Sequence, residues 1–346
     1  MEVGHVIYII LNITNISKMA SACTTASTTI ETMAKLATML FYRDPLNRIL
    51  VIIWHHFWPA NIASKQRQEE IRSRSNYVTM VVCTFLTMAF VSCAQFMAFP
   101  LVSTSTKQLP LQSWYPFDTH VSPIYEMMYI WQWFMNQVVI CVLSGFDAFF
   151  NSIVMICACQ FQILQDVLET MCDKTKGKKW KEFFKNKKSI TNHIDEFNIM
   201  IECVEHHLRL IRLCKLIETT FRHIVFLQFV FSTLAICVSC VALIADPSLF
   251  QHMFSYCVAH LLQFFIYCSV GNELTYQSGM VADAIYNCDW ETTVDSNFRM
   301  GIVMILQRAQ RPEALTVAGL MQLSFANFVA TVQLSFSFYT LLNSFV

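Results

Sequence analysis

Side chains that often carry out catalysis or bind metal ions are present here, but not at the spacings that such chemistry requires. Glu205 precedes His206 and His207 directly, whereas the zinc helix HExxH places its two His four residues apart. Cys237 and Cys240 form a CxxC pair without a second pair or a nearby His, which does not indicate a zinc site. The sequence also lacks GxSxG, P-loop and GxGxxG motifs. It therefore indicates no enzyme, no bound metal and no cofactor.

A second group of side chains could bind a small molecule. Aromatic and polar residues are interspersed within the apolar segments, at Ser92, Phe96, Tyr129, Trp133, Asn136, Gln137, Tyr256 and His260. Small-molecule pockets have mostly apolar and aromatic walls with a few polar groups, so these residues are candidates for lining one. Aromatic residues at helical spacing also serve packing alone, and the pattern leaves both interpretations open.

Asp147 is an ionisable residue inside the apolar stretch LSGFDAFF. A charged group in such a segment is costly and is by default a candidate for an ion pathway. Pairing with polar groups inside a helix bundle would also satisfy it, and we favour this structural role.

Composition identifies the class of protein. The residues are 55% hydrophobic and only 14% charged, with a net charge of zero, whereas about 25% of the residues in a typical soluble domain are charged. The charged residues are clustered, which leaves long apolar runs between them. Most of the 14 Cys lie inside those runs, where Cys behaves as a small hydrophobic residue rather than as part of a disulfide framework. The sequence therefore predicts an all-α, polytopic membrane protein.

Seven apolar segments are candidate transmembrane helices. They cover residues 4–11, 19–42, 77–101, 124–160, 223–245, 249–270 and 315–346. A spanning helix needs about 20 residues, so we expect the first segment to be part of a truncated first helix. The second segment is rich in Thr, and we expect it to face other helices or a cavity rather than lipid. Asn12 and Asn15 begin glycosylation sequons, which have meaning only outside the cytoplasm.

The distribution of Lys and Arg predicts the topology. Nearly all of these residues lie in the segments after the second, fourth and sixth spans, and 173–188 alone contains eight Lys. By the positive-inside rule these segments are cytoplasmic, which places the N-terminus inside and the C-terminus outside. A Lys cluster could also bind nucleic acid or anionic lipid. We favour the topology signal and predict no nucleic-acid partner.

The last segment combines an apolar composition with a polar face. At 100° per residue, Ser324, Asn327, Thr331 and Ser335 fall on one side, and that side continues to Phe338 and Leu341. Such a face is typical of a helix that lines water or of one that bonds to neighbouring helices. The preceding residues 271–311 carry many ionisable side chains and cannot lie in hydrocarbon.

Five motifs in the same chain order resemble those of insect odorant receptors. They are LPLQSWYPFD (residues 109–118), CVEHHLRLIRL (203–213), GNEL (271–274) followed by Ser278, Ala284, Tyr286 and Trp290, RAQRPEALTVAG (308–319), and SFSFYTLL (335–342). The resemblance extends from about residue 41 to the C-terminus.

This resemblance implies a seven-helix, ligand-selective subunit for small volatile odorants in the plasma membrane of sensory neurons. It implies a non-selective cation channel, formed as a heterotetramer with an obligate co-receptor. The candidate pocket residues would lie in the outer halves of the helices. Residues 161–222 and 271–311 would form a cytoplasmic anchor between subunits, and 312–346 would line the pore. Thr331, Ser335, Phe338 and Leu341 would then form the pore and its gate, with the apolar constriction at Leu341.

Two other classes remain open. A relative of the gustatory receptors would share the fold, but TYxxxxF is expected at its end, where this chain has SFSFYTLL. A secondary transporter would have an inverted repeat and helices interrupted by Gly or Pro. The sequence has only seven Gly and eight Pro and no visible repeat.

Overall fold

The computed structural model describes residues 2–13, 16–102, 109–173, 178–188, 196–245, 250–292 and 296–343. The helices are α1 (Glu2–Leu11), α2 (Ile16–Phe41), α3 (Arg43–His56), α4 (Lys65–Val102), α5 (Ile124–Thr170), α6 (Lys178–Lys188), α7 (Glu196–Ala245), α8 (Phe250–Tyr286), α9 (Ser296–Ala309) and α10 (Phe325–Asn343). Two short antiparallel strands, β1 (Thr316–Val317) and β2 (Met321–Gln322), form a hairpin before α10.

Among the described residues, four helices are long and apolar enough to cross a membrane. These stretches are Lys65–Gln95, Ile124–Thr170, Phe197–Cys240 and Met253–Tyr286. With 47 and 50 residues, α5 and α7 are about 70 and 75 Å long at 1.5 Å per residue. A bilayer core is about 30 Å thick, so both helices extend far beyond it, as the charged first half of α7 predicts.

The largest apolar core forms where α5, α7, α8 and α9 pack together. We call this the hairpin end of the molecule, because β1 and β2 are also there. Its most buried members include Leu164, Leu213, Ile217, Leu274, Ile285 and Phe298. Burial of one such side chain contributes about 1.5–3 kcal/mol, so this core makes a large contribution to the stability of the fold.

The last predicted span, 315–346, needs a correction at its start. The chain forms the β-hairpin first, with Ala318 and Gly319 at positive φ in its turn, and α10 begins only at Phe325. The Thr316 hydroxyl donates to the Glu218 carboxylate at 2.5 Å, which fixes the hairpin to α7. A run of apolar residues does not reveal such a turn, because the turn depends on two backbone conformations rather than on hydropathy.

The hairpin also lies directly against α8. A Cβ on Gly271 would be 2.4 Å from the Leu323 Cβ, so only glycine permits this approach. Further along α8, the Ser278 hydroxyl accepts from the Glu313 amide at 2.9 Å, and Arg308 forms an ion pair with Glu313. Motif residues therefore hold the hairpin and the segment before it, which lead into α10, against α8.

Candidate ligand-binding pocket

A cavity lies between α2, α4, α5 and α8. Its apolar wall contains Phe85, Ala89, Leu111, Val139, Ile140, Leu143 and Ala259, and its polar wall contains Thr24, Thr25, Thr28, Thr29, Ser92, Asn136, Ser144, Tyr256, His260 and Gln263. Its volume is about 120 Å³, and an engineered cavity of about 150 Å³ is known to hold benzene. The space therefore fits a molecule with one ring or a short chain.

The segment before α5 also contributes to the cavity wall. Leu111 lies in the wall, and its backbone N–H and C=O both bond to the buried Gln132 side chain, at 2.9 and 3.0 Å. Gln132 also donates to the Tyr115 hydroxyl at 3.1 Å. Both bonds to one amide hold this segment in place beside the cavity. Leu111 lies in the LPLQSWYPFD motif, but neither it nor Gln132 was a predicted pocket residue, because their role depends on a contact between loop and helix.

Four of the eight predicted pocket residues line this cavity, namely Ser92, Asn136, Tyr256 and His260. The others whose side chains are described have different surroundings. Tyr129 donates to the Met97 carbonyl at 2.5 Å, Gln137 donates to the Cys93 sulfur at 3.4 Å, and Trp133 is 49% exposed. The side chain of Phe96 lies outside the described residues. The structure thus brings four of the predicted residues, from α4, α5 and α8, together around one cavity.

The Thr-rich helix α2 forms part of the cavity wall, although none of the eight predicted pocket residues belongs to it. Four of its six threonines line the cavity, which agrees with the expectation that this helix faces other helices or a cavity. The Tyr256 hydroxyl of α8 donates to the Thr24 carbonyl and lies 3.1 Å from the Thr28 hydroxyl. These contacts join α2 to α8 beside the cavity.

A buried cluster of charged residues lies next to the cavity. The Lys35 ammonium is 2.5 Å from an Asp147 oxygen and 2.7 Å from a Glu31 oxygen, and all three side chains are at most 4% exposed. The Tyr267 hydroxyl donates to the same Asp147 oxygen at 2.6 Å. Asp147 is therefore paired inside the bundle, in agreement with the structural role inferred from the sequence.

Gln263 connects this charged cluster to the cavity. Its side chain lines the cavity, and its amide donates to the second Asp147 oxygen at 2.7 Å and to Glu31 at 3.2 Å. The same amide donates to the side-chain Oε1 of Gln228 on α7 at 3.2 Å. One side chain thus contacts the cavity and polar groups of α2, α5 and α7 together.

The two residues that follow Gln263 face the last helix. The Phe264 ring is 5.6 Å from the Phe328 ring, and the Phe265 ring is 5.7 Å from the Phe325 ring. Since α8 is continuous here, the cavity wall and the contact with α10 are on adjacent residues of one rigid element. A displacement of α8 at the cavity would therefore also displace its contact with α10.

The polar face of α10 lies against its own chain. Thr331 and Ser335 are buried, and the Cys237 thiol of α7 donates to the Ser335 carbonyl at 3.7 Å. Of the two interpretations that the sequence left open, this geometry matches contact with neighbouring helices. The opposite face carries Gln333 and Ser337, which are exposed. The side chains of Phe338 and Leu341 lie outside the described residues.

Within the described ranges, no group of three or more His, Cys, Asp or Glu side chains could hold a metal ion. The polar groups around the cavity are hydroxyls, amides and one imidazole, which suit hydrogen bonding to an organic molecule.

Comparison with known proteins assigns the chain to a family. Residues 15–336 match the family described as 7tm Odorant receptor. Odorant receptor 82a of Drosophila melanogaster is 25% identical over 356 residues, which cover 97% of this chain and 87% of that protein. Odorant receptor 10 of Aedes albopictus is 24% identical over 292 residues, covering 83% and 73%.

A solved structure has the same fold. The insect olfactory receptor OR5 from Machilis hrabei, in complex with eugenol, gives a TM-score of 0.82 at 16% identity and covers 100% of this chain and 86% of that one. The predicted all-α, seven-helix membrane fold is thereby confirmed. The relatives are odorant receptors, which also confirms that the chain is not an enzyme. We conclude that this multi-pass membrane protein belongs to the 7tm odorant receptor family.

Proposed function

We propose that the chain is the ligand-selective subunit of an odorant-gated, non-selective cation channel in the plasma membrane of olfactory sensory neurons. It would assemble as a heterotetramer with an obligate co-receptor. Membership of the family supports the odorant-receptor assignment. The observation that carries the gating proposal is the continuity of α8 between the cavity at Gln263 and the aromatic contact with α10.

The proposed orientation places the hairpin end in the cytoplasm and the cavity toward the outside. Its support is the concentration of Lys and Arg in the polar segments, including the Lys-rich segment that contains α6. In this orientation the extended halves of α5 and α7 lie in the cytoplasm, and Leu111 lies in the outer part of the cavity wall.

We assign the contact between subunits to the anchor regions, residues 161–222 and 271–311. One helix in them, α9, exposes an apolar face formed by Met300, Val303 and Met304. These residues are at helical spacing on one side, and in the proposed orientation this helix is not in lipid. An exposed apolar patch of this kind marks an interaction surface, and a neighbouring subunit is the occupant that the proposal requires.

We again assign the pore lining to α10, but to a different face of this helix from the one that the sequence suggested. Thr331 and Ser335 are turned toward α7, so in the proposed channel the exposed side with Gln333 and Ser337 is the side that would meet the pore axis. Polar side chains at this position keep a pore wettable, while apolar rings gate by dewetting. The gate proposed at Phe338 and Leu341 remains a prediction from the family resemblance.

The experiment compares two substitutions on one helix. Ala89 lines the cavity, whereas Ala94 is exposed on the same helix. Cells that express the chain with the co-receptor are exposed to small volatile alcohols, ethers and ketones while the current is recorded. Ala89→Leu fills part of the cavity and should raise the half-maximal concentration at least tenfold or abolish the response, whereas Ala94→Leu should not. Equal responses of both variants at equal surface expression would place ligand binding elsewhere.

A further inference from the structure

The hydrogen-bond donors of the cavity wall are mostly already in use. Five of the six Ser and Thr hydroxyls on the wall donate to backbone carbonyls of their own helices, at 2.6 to 3.0 Å. They belong to Thr24, Thr25, Thr28, Thr29 and Ser144. Each such hydroxyl retains lone pairs that can accept. The wall therefore offers many acceptors to a ligand and few donors.

His260 adds a polar group without a partner. The side chain lines the cavity and is 6% exposed, and its Nδ1 is buried without a hydrogen-bond partner among the described residues. A neutral imidazole has one donor and one acceptor nitrogen, and an unpaired buried polar atom is unfavourable. A ligand hydroxyl can bond to Nδ1 whether this nitrogen is the donor or the acceptor, because a hydroxyl both donates and accepts. An ether or ketone oxygen can only accept.

The charges beside the cavity favour the same kind of ligand. Behind Gln263 there are two carboxylates, Glu31 and Asp147, but a single ammonium, Lys35. One Glu31 oxygen is buried without a partner among the described residues. This surplus of negative charge attracts the positive end of a ligand dipole, which for a hydroxyl is its hydrogen.

We propose that the cavity selects small hydroxyl compounds, either short aliphatic alcohols or one-ring alcohols and phenols, over ethers and ketones of the same skeleton. The hydroxyl bonds to His260, and the ring or chain lies against the apolar wall. This selection deepens the proposed odorant-binding function and rests on it. A matched ether loses the donated bond and should need about a tenfold higher concentration for the same effect.

The test uses matched ligands, benzyl alcohol against benzyl methyl ether and 1-hexanol against hexyl methyl ether. Half-maximal concentrations are measured as currents in cells that express the full chain with the co-receptor. In parallel, each ligand's thermal stabilisation of the purified complex measures binding without channel opening. Each alcohol should act at about a tenth of the concentration of its ether, in both measurements.

Two variants test the role of His260. His260→Phe keeps an aromatic ring and removes both nitrogens, so it should reduce the alcohol preference to about twofold or less. Phe85→Leu alters the apolar wall alone and should shift alcohol and ether equally. Ethers that equal or exceed alcohols in the wild type, or an undiminished preference in His260→Phe, would overturn the selection proposed here. Selective stabilisation by alcohols without any current would instead contradict the proposed channel function and leave the selection supported.

Discussion

Replacement of Lys35 by Met tests the buried charged cluster most sharply. Met keeps the length of the apolar stem but removes the ammonium, which is 2.5 Å from Asp147 and 2.7 Å from Glu31. Two carboxylates then face each other in a site that is almost completely buried. Removal of one partner from a buried ion pair costs about 3–5 kcal/mol, because the remaining charge has no compensation. We therefore expect Lys35→Met to destabilise the fold strongly.

The two carboxylates give matched comparisons. Glu31→Gln and Asp147→Asn each leave one carboxylate opposite Lys35, so charge balance improves. Asn offers one acceptor where Asp147 offers two to the Gln263 and Tyr267 donors, and the unpaired donor costs about 1–3 kcal/mol. The expected order of destabilisation is Lys35→Met, then Asp147→Asn, then Glu31→Gln.

Thermal unfolding of the detergent-solubilised protein is monitored by size-exclusion chromatography. Surface expression of each variant is measured in parallel. At about 2 °C per kcal/mol for a chain above 150 residues, Lys35→Met should lower Tm by about 6 °C or more. The triple variant Glu31→Gln, Lys35→Met, Asp147→Asn removes all three charges and should recover at least half of that loss. A triple variant no more stable than Lys35→Met would refute the charge-balance explanation.

Two further predictions concern the hairpin end and the pore. Gly271→Ala should destabilise the fold by about 1–3 kcal/mol through overpacking, because its Cβ would be 2.4 Å from Leu323, whereas Gly279→Ala, with its nearest atom at 3.7 Å, should be neutral or stabilising. Equal Tm values for the two would show that the hairpin is not held as described. Gln333→Arg should reduce single-channel cation current at normal surface expression, while Thr331→Val should leave conductance unchanged. The reverse result would indicate that the buried face with Thr331 lines the pore.

The sequence predicted the fold class because the signals for it are local. Apolar runs and clusters of charge identify spans without knowledge of their partners. The hairpin before α10 was missed because Ala318 and Gly319 determine it through backbone conformation. The helix α6, in the Lys-rich segment, was also not anticipated. Its Phe184 ring packs edge-on against Trp58 and Trp180 packs against Phe184, contacts that hydropathy cannot show.

The site could be predicted only in part, since it depends on contacts between distant segments. The pairing of Asp147 was foreseen, but its partner Lys35 is 112 residues away. The Glu31 and Lys35 pair was visible as an i,i+4 spacing within an apolar helix, which is a signal that could have identified the cluster. The roles of Leu111 and Gln132 depend on bonds between a loop and a helix 21 residues apart in the chain, which no local pattern shows.

The central claim is that a ligand in the cavity acts on the pore through α8 and α10. The most direct measurement is a cryo-electron microscopy structure of the chain assembled with its co-receptor, with and without benzyl alcohol. We predict ligand density between α2, α4, α5 and α8 next to His260, and Gln333 facing the central axis, with α10 displaced together with Phe264 and Phe265 when ligand is bound. Ligand density at another site, or an α10 that faces lipid away from the axis, would contradict this account.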